Sequence, residues 1–239
     1  MKETRDWNNY YLIRLFDKKE YLDDFIKKGH FYINPLEKFH NVKNAFQSDE
    51  SEGIIAKKDE NVKFSFYTGK KKPERKILDM PEVDICLEGS IYCFYCIEKD
   101  MILFNNGNFQ VKSDSSHEKD LLSTFREYKK STSNAFIVIL DAKLIIEKLS
   151  NKLEQIKVNY IINTVNYKKV CLEDRCKMVS YEQNVNNIIF VKNPKYSYQH
   201  ECRLFISAIS ETNDHIDIYL GPLTKETCWF GAYEYKKTI

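Results

Sequence analysis

Apolar residues in this chain fall in short runs, and that segmentation is what most limits its possible folds. The longest, such as Ala135–Leu140, fall far short of the roughly 18–20 consecutive apolar residues that span a bilayer. Runs of this length read instead as strands, or as stripes on amphipathic helices. Of the 239 residues, 43% are hydrophobic and 30% charged, enough for one sizeable core and too apolar for a disordered chain. Seven glycines and five prolines leave little material for long linkers. The expectation is a single domain spanning residues 1–239.

The formal net charge of +2 is too balanced to name a nucleic-acid or membrane partner. Charge is patchy all the same: Lys70, Lys71 and Lys72 with Arg75 and Lys76 make a basic run, read first as a solvated loop. The first residues carry no apolar segment of the kind a secretory signal needs, so a cytoplasmic location is expected, with no membrane partner. The seven cysteines are too sparse for a disulfide scaffold. Cys93 and Cys96 form a CxxC inside Ile91-Tyr-Cys-Phe-Tyr-Cys-Ile97, which reads as a buried strand. Residues three apart on a strand face opposite ways. That geometry is poor for a metal, so none is expected, and reduced, buried thiols are the better reading.

Along the chain, Tyr10–Phe16 reads as a strand. Asp17 is placed to cap a helix over Lys18–Lys28, with apolar positions at Tyr21, Leu22, Phe25 and Ile26 and Gly29 ending it. Phe31–Asn34 reads as a short strand stopped by Pro35, and Leu36–His40 as a helical turn. Asn41–Glu60 and Thr68–Asp84 read as polar loops flanking a strand at Val62–Tyr67. Ser90–Ile97 and Ala135–Leu140 read as strands. Ser116–Lys130 has helical spacing through Leu121, Leu122 and Phe125. Asp141 caps a helix running to about Leu153, with Leu144, Ile145 and Leu149 inward. Strands are expected at Val158–Val165, Lys169–Leu172, Met178–Tyr181, Glu201–Ala208 and His215–Leu220, while Asn187–Val191 fits a strand or a helix end. Helices concentrate in the first two thirds and strands late, which argues α+β with a mostly antiparallel central sheet. No dinucleotide-binding glycine fingerprint and no phosphate-binding P-loop occurs.

Several polar residues stand in unexpected places. Arg14 interrupts an apolar strand. It reads as an edge or ion-paired residue, or as a clamp for a phosphate or carboxylate. In His200-Glu-Cys-Arg-Leu-Phe-Ile-Ser207, alternation puts Glu201, Arg203 and Phe205 on one face and Cys202, Leu204 and Ile206 on the other. The even face is apolar and core-directed, so Glu201 and Arg203 point to solvent or into a cleft. Tyr32 and Asn34 share a face beside Pro35. They read as a core tyrosine with a capping amide, or as a wall for a planar ligand. Asp49 and Glu52, before Gly53, read as a solvated acidic loop or a cation site.

An arginine strand, a helix, a glycine, a short aromatic strand and a late strand opening on Glu together resemble the ADP-ribosyltransferase-like fold. The chain is also similar to uncharacterised bacterial proteins of defence and toxin-like systems, which share an aromatic-x-x-Asn-Pro turn, an acidic D-x-x-E-G element and a late Glu-x-Arg strand. The resemblance covers roughly residues 10–53, 90–97 and 194–221. It implies an NAD-cleaving transferase, with NAD as substrate and a nucleic acid, a protein or water as acceptor. By position it implies Arg14 as clamp, Tyr32 as the residue stacking on nicotinamide and Glu201 as catalytic carboxylate, with Asn34 and Arg203 also contacting NAD. Arg203 stands where arginine-modifying members carry a second acid, so an arginine acceptor is disfavoured; Arg203 could instead pair structurally with Glu201. Two other readings stay open. One is a nucleic-acid-binding or nuclease-like protein using the basic run, the aromatics, His30, His40, Asp49 and Glu52. The other is a non-catalytic sensor or partner-binding module.

Overall fold

A computed structural model describes residues 5–40, 54–56, 63–66, 74–77, 85–105, 108–112, 116–131, 136–171, 185–207, 215–225 and 227–232. In chain order the first elements are β1 (Tyr10–Phe16), α1 (Lys19–Lys28), β2 (His30–Pro35), α2 (Glu37–His40), β3 (Ile54–Ala56), β4 (Lys63–Phe66), β5 (Glu74–Ile77) and β6 (Ile85–Cys86). Then come β7 (Gly89–Glu98), β8 (Ile102–Asn105), β9 (Asn108–Val111), α3 (Ser116–Ser131), β10 (Phe136–Asp141) and α4 (Ala142–Gln155). The last are β11 (Tyr160–Thr164), β12 (Asn166–Tyr167), β13 (Val191–Lys192), β14 (Glu201–Ser207), β15 (Ile216–Tyr219) and β16 (Cys228–Ala232). Short 3-10 turns at Val185–Phe190 and Pro194–Gln199 flank β13.

The main sheet has eight strands and runs β11-β14-β7-β1-β10-β16, with β2 joining β7 and β15 joining β2. Every pairing in it is antiparallel. The chain is thus α+β around a large antiparallel sheet. No helix among the described residues is long and apolar enough to cross a membrane.

Strand alternation sends side chains to two covered faces. On one, Leu12, Phe31, Ile33, Phe94 and Leu204 meet Leu22 and Phe25 of α1 and Ile145, Leu149 and Leu153 of α4. On the other, Ile13, Ile97, Ile137 and Ile139 meet Leu121 and Phe125 of α3. A third cluster joins Leu36, Ile91, Ile189, Phe190 and Phe205.

Several expectations are corrected here. Strands run through the whole chain rather than gathering late. The polar segment Thr68–Asp84 contains strand β5, paired with β4, and β3 falls within Asn41–Glu60. Lys169 and Val170 are not in a strand, and the segment before β13 is a 3-10 turn. α1 begins at Lys19 after Lys18, with no side-chain cap, so Asp17 does not cap it. Tyr21 and Leu144 are exposed, because each lies at the edge of its helix's apolar stripe. Gly29 does end α1, with φ 58° and its N–H donating to the Phe25 carbonyl at 2.8 Å. Asp141 does cap α4, accepting from the Leu144 N–H at 3.1 Å. Cys96, Cys202 and Cys228 are buried free thiols, Cys93 is half-buried and Cys171 exposed. Leu122, Met178–Tyr181, Lys70, Lys71, Lys72, Asp49 and Glu52 lie outside the described residues or their described side chains.

Candidate functional site

The site arises from an interruption in strand pairing. β1 pairs with β7 only as far as Ile13↔Tyr95, and β2 pairs with the same edge only at Asn34↔Ile91 and Pro35↔Ser90. Tyr92–Phe94 therefore face a gap between the two strands. On its other edge β7 pairs with β14 from Glu201↔Tyr95 to Ser207↔Gly89. A cavity of about 300 Å³ occupies the gap, at the lower end of the roughly 300–1,000 Å³ of small-molecule sites.

Arg14 stands one residue past the last β1–β7 pair. Its Nη1 donates to the Cys93 carbonyl at 2.8 Å, taking the place of a lost strand hydrogen bond. The guanidinium lies 4.4 Å from the Tyr92 ring centroid, a cation–π distance. Its Nε is buried without a hydrogen-bond partner, and no carboxylate pairs with it among the described residues. Of the two readings of Arg14, the ion-paired one is not what forms. A buried donor left this way is set to receive an anionic or carbonyl oxygen.

Tyr32 and Asn34 of β2 both line the cavity, as their shared strand face requires. Tyr32 is 43% exposed, stacked on His215 with ring centroids 4.1 Å apart, so it forms the rim rather than the core. Tyr92, Tyr95 and Tyr128 line deeper parts. Burial pushes their hydroxyls above the ordinary phenol range, so they stay neutral. The Tyr95 hydroxyl is buried without a partner.

Glu201 completes the lining, but not as an open carboxylate. Lys192 Nζ donates to its Oε1 at 2.6 Å and Arg203 Nε to its Oε2 at 2.7 Å. Its own N–H donates to the Tyr167 hydroxyl at 2.8 Å. Burial pushes the carboxyl pKa up, yet Arg203 and then Lys192 outweigh this and hold it down, at about 2. The expected open face of β14 is corrected. Arg203 is 1% exposed and Phe205 equally buried, because the Val185–Phe190 turn covers that face and Ile189 offers its carbonyl to Arg203 Nη1. Arg203 stands behind Glu201, off the cavity lining.

Four of the five sequence candidates, Arg14, Tyr32, Asn34 and Glu201, meet in one cavity. Sequence reasoning missed Lys192, Gln199, Thr124 and Tyr128, which also line it. Gln199 carried a usable signal, being two residues before Glu201. His200 between them adopts φ 40°, a left-handed geometry uncommon for a non-glycine residue, with its Nε2 held 2.8 Å from Asp120 Oδ2. Lys192 carried none, since nothing local marks it out from other lysines. No family model, curated protein or solved structure matches the chain, so the reading of the site rests on its own geometry.

Proposed function

We propose that the cavity binds NAD and breaks its nicotinamide–ribose bond, in the manner of an ADP-ribosyltransferase. The observation that carries this is the convergence of an arginine without an anionic partner, an exposed aromatic rim and a carboxylate held ionised, all in one gap. In the reaction the C1′–N bond breaks and its electron pair leaves with nicotinamide. The ribose is left with oxocarbenium character, and an acceptor nucleophile or water then adds to C1′ and loses a proton. Arg14 suits the pyrophosphate, Tyr32 the flat nicotinamide and Glu201 the developing positive charge. A cavity of this volume takes only part of an NAD molecule.

One observation favours a second reading, a non-catalytic nucleotide sensor. Both Glu201 oxygens are already engaged by cations, which blunts the field a growing positive charge would feel. Nicotinamide release and NAD binding by the purified chain, with and without nucleic acid or lysate protein as acceptor, separate the two. Release by the wild type supports the transferase reading. Binding without release supports the sensor, and neither binding nor release removes NAD from both.

A further inference from the structure

Glu201 is held by two cations of different kinds. Arg203 is its neighbour on the same strand face, fully buried, off the cavity, and tied to the Ile189 carbonyl. Lys192 comes from a different element, β13, and lines the cavity itself while being only 6% exposed. Its Nζ reaches Glu201 Oε1 at 2.6 Å and Gln199 Oε1 at 2.9 Å, both cavity-lining residues, and sits 4.8 Å from the Tyr196 ring centroid.

The backbone around Lys192 is secured in a way that serves the same target. β13 pairs in parallel with β12, with Tyr167 as the register partner of Lys192. The Lys168 N–H donates to the Lys192 carbonyl at 3.0 Å. Tyr167 in turn accepts from the Glu201 N–H. The two partners across one short ladder thus hold Glu201 at both ends, Tyr167 by the main chain and Lys192 by the carboxylate.

We infer that Lys192 is the positioning residue of this site: from β13 it fixes Oε1 of Glu201 and couples it to Gln199, while Arg203 serves as a buried anchor on Oε2. The inference rests on the reading of the cavity as an NAD-cleaving site for its consequence in turnover, but not for the contact itself. A lysine that only stabilised the fold would change melting temperature and, through its charge, the Glu201 titration, while leaving turnover per folded molecule at the pH optimum unchanged. A positioning lysine changes the titration and that turnover together.

The test follows the Glu201 carboxyl carbon by NMR titration in the wild type, Lys192→Met, Lys192→Gln and Lys192→Arg, beside nicotinamide release against pH. With the charge removed, Glu201 should titrate about 1 to 3 pH units higher, the usual effect of one nearby opposite charge. Release should fall about 10²-fold, the scale of a small misplacement, with its acid limb moved up, and Lys192→Arg should restore part of both. Lys192→Gln retains a donor and gives the titration if the Met variant does not fold. Glu201 titrating at its wild-type position in both neutral variants, or release per folded molecule unchanged at the pH optimum, would overturn the inference. If the wild type neither binds nor cleaves NAD, the NAD reading falls, and the carboxyl titration still decides whether Lys192 holds Glu201.

Discussion

The Glu201 carboxylate shows how two roles compete at one residue. Its surroundings make it a structural ion pair as well as a site group, so Glu201→Gln does more than remove a charge from the cavity. It leaves Arg203 buried without its carboxylate, and breaking a buried pair in this way costs about 3–5 kcal/mol. Urea denaturation should show that loss, and an added Arg203→Met should recover part of it, because one of the two cations stranded there is gone and Lys192 is the other. The same pair sets an acid limit. The folded pKa lies below the unfolded value, so the stabilisation is complete above about pH 4.5 and is lost as pH falls toward about 2. Denaturation midpoints measured across that interval should drop in the wild type and stay flatter in the double variant. Glu201 and Arg203 were both legible in the sequence as a polar break in a strand. Their mutual pairing was open there, because strand alternation gives the face but not what covers it.

At the scale of elements, His30 joins three of them. Its Nδ1 meets Asp24 of α1, itself paired with Lys28, and its Nε2 meets Asp217 Oδ1 of β15 at 2.7 Å. The other Asp217 oxygen holds His215 at 3.0 Å, and Tyr219 stacks on the His30 ring at 4.5 Å. Burial lowers the His30 pKa, but the two carboxylates raise it more, so it lies above the ordinary histidine value of 6.5. The contribution of the protonated ring to stability is therefore complete below about pH 6.5 and lost as pH rises through the folded value. Thermal unfolding should fall across that rise in the wild type, whereas His30→Gln should be less stable at acid pH and lack the step. Helices α1, α3 and α4 were readable from apolar spacing, and β1 from its run of bulky residues. β5 was not, since Glu74-Arg-Lys-Ile77 has no alternating apolar face and takes its strand form from pairing with β4.

Across the whole molecule, the candidate site depends on where two strands stop pairing with a third. Tyr32 can be changed without touching the core, as it is exposed at the rim. Tyr32→Ala should therefore leave the melting temperature nearly unchanged while weakening NAD binding about 10-fold, the worth of one aromatic contact of about 1–1.5 kcal/mol. Calorimetric titration beside a thermal melt checks both halves, and unchanged affinity would remove Tyr32 from the site. The sequence by itself determined the α+β class, because apolar periodicity and turn residues are local properties. It also supplied Arg14, Tyr32, Asn34 and Glu201 as candidates, since a polar group in an apolar strand stands out wherever the strand lies. Only the tertiary structure brought those four together. Their meeting depends on β1 and β2 sharing one edge of β7, a relation between segments some 60–80 residues apart that carries no local signal. It likewise decided that Arg203 is buried and that Lys192 belongs to the site. Burial and charge pairing are set by whichever distant element packs against a residue, here the Val185–Phe190 turn and β13.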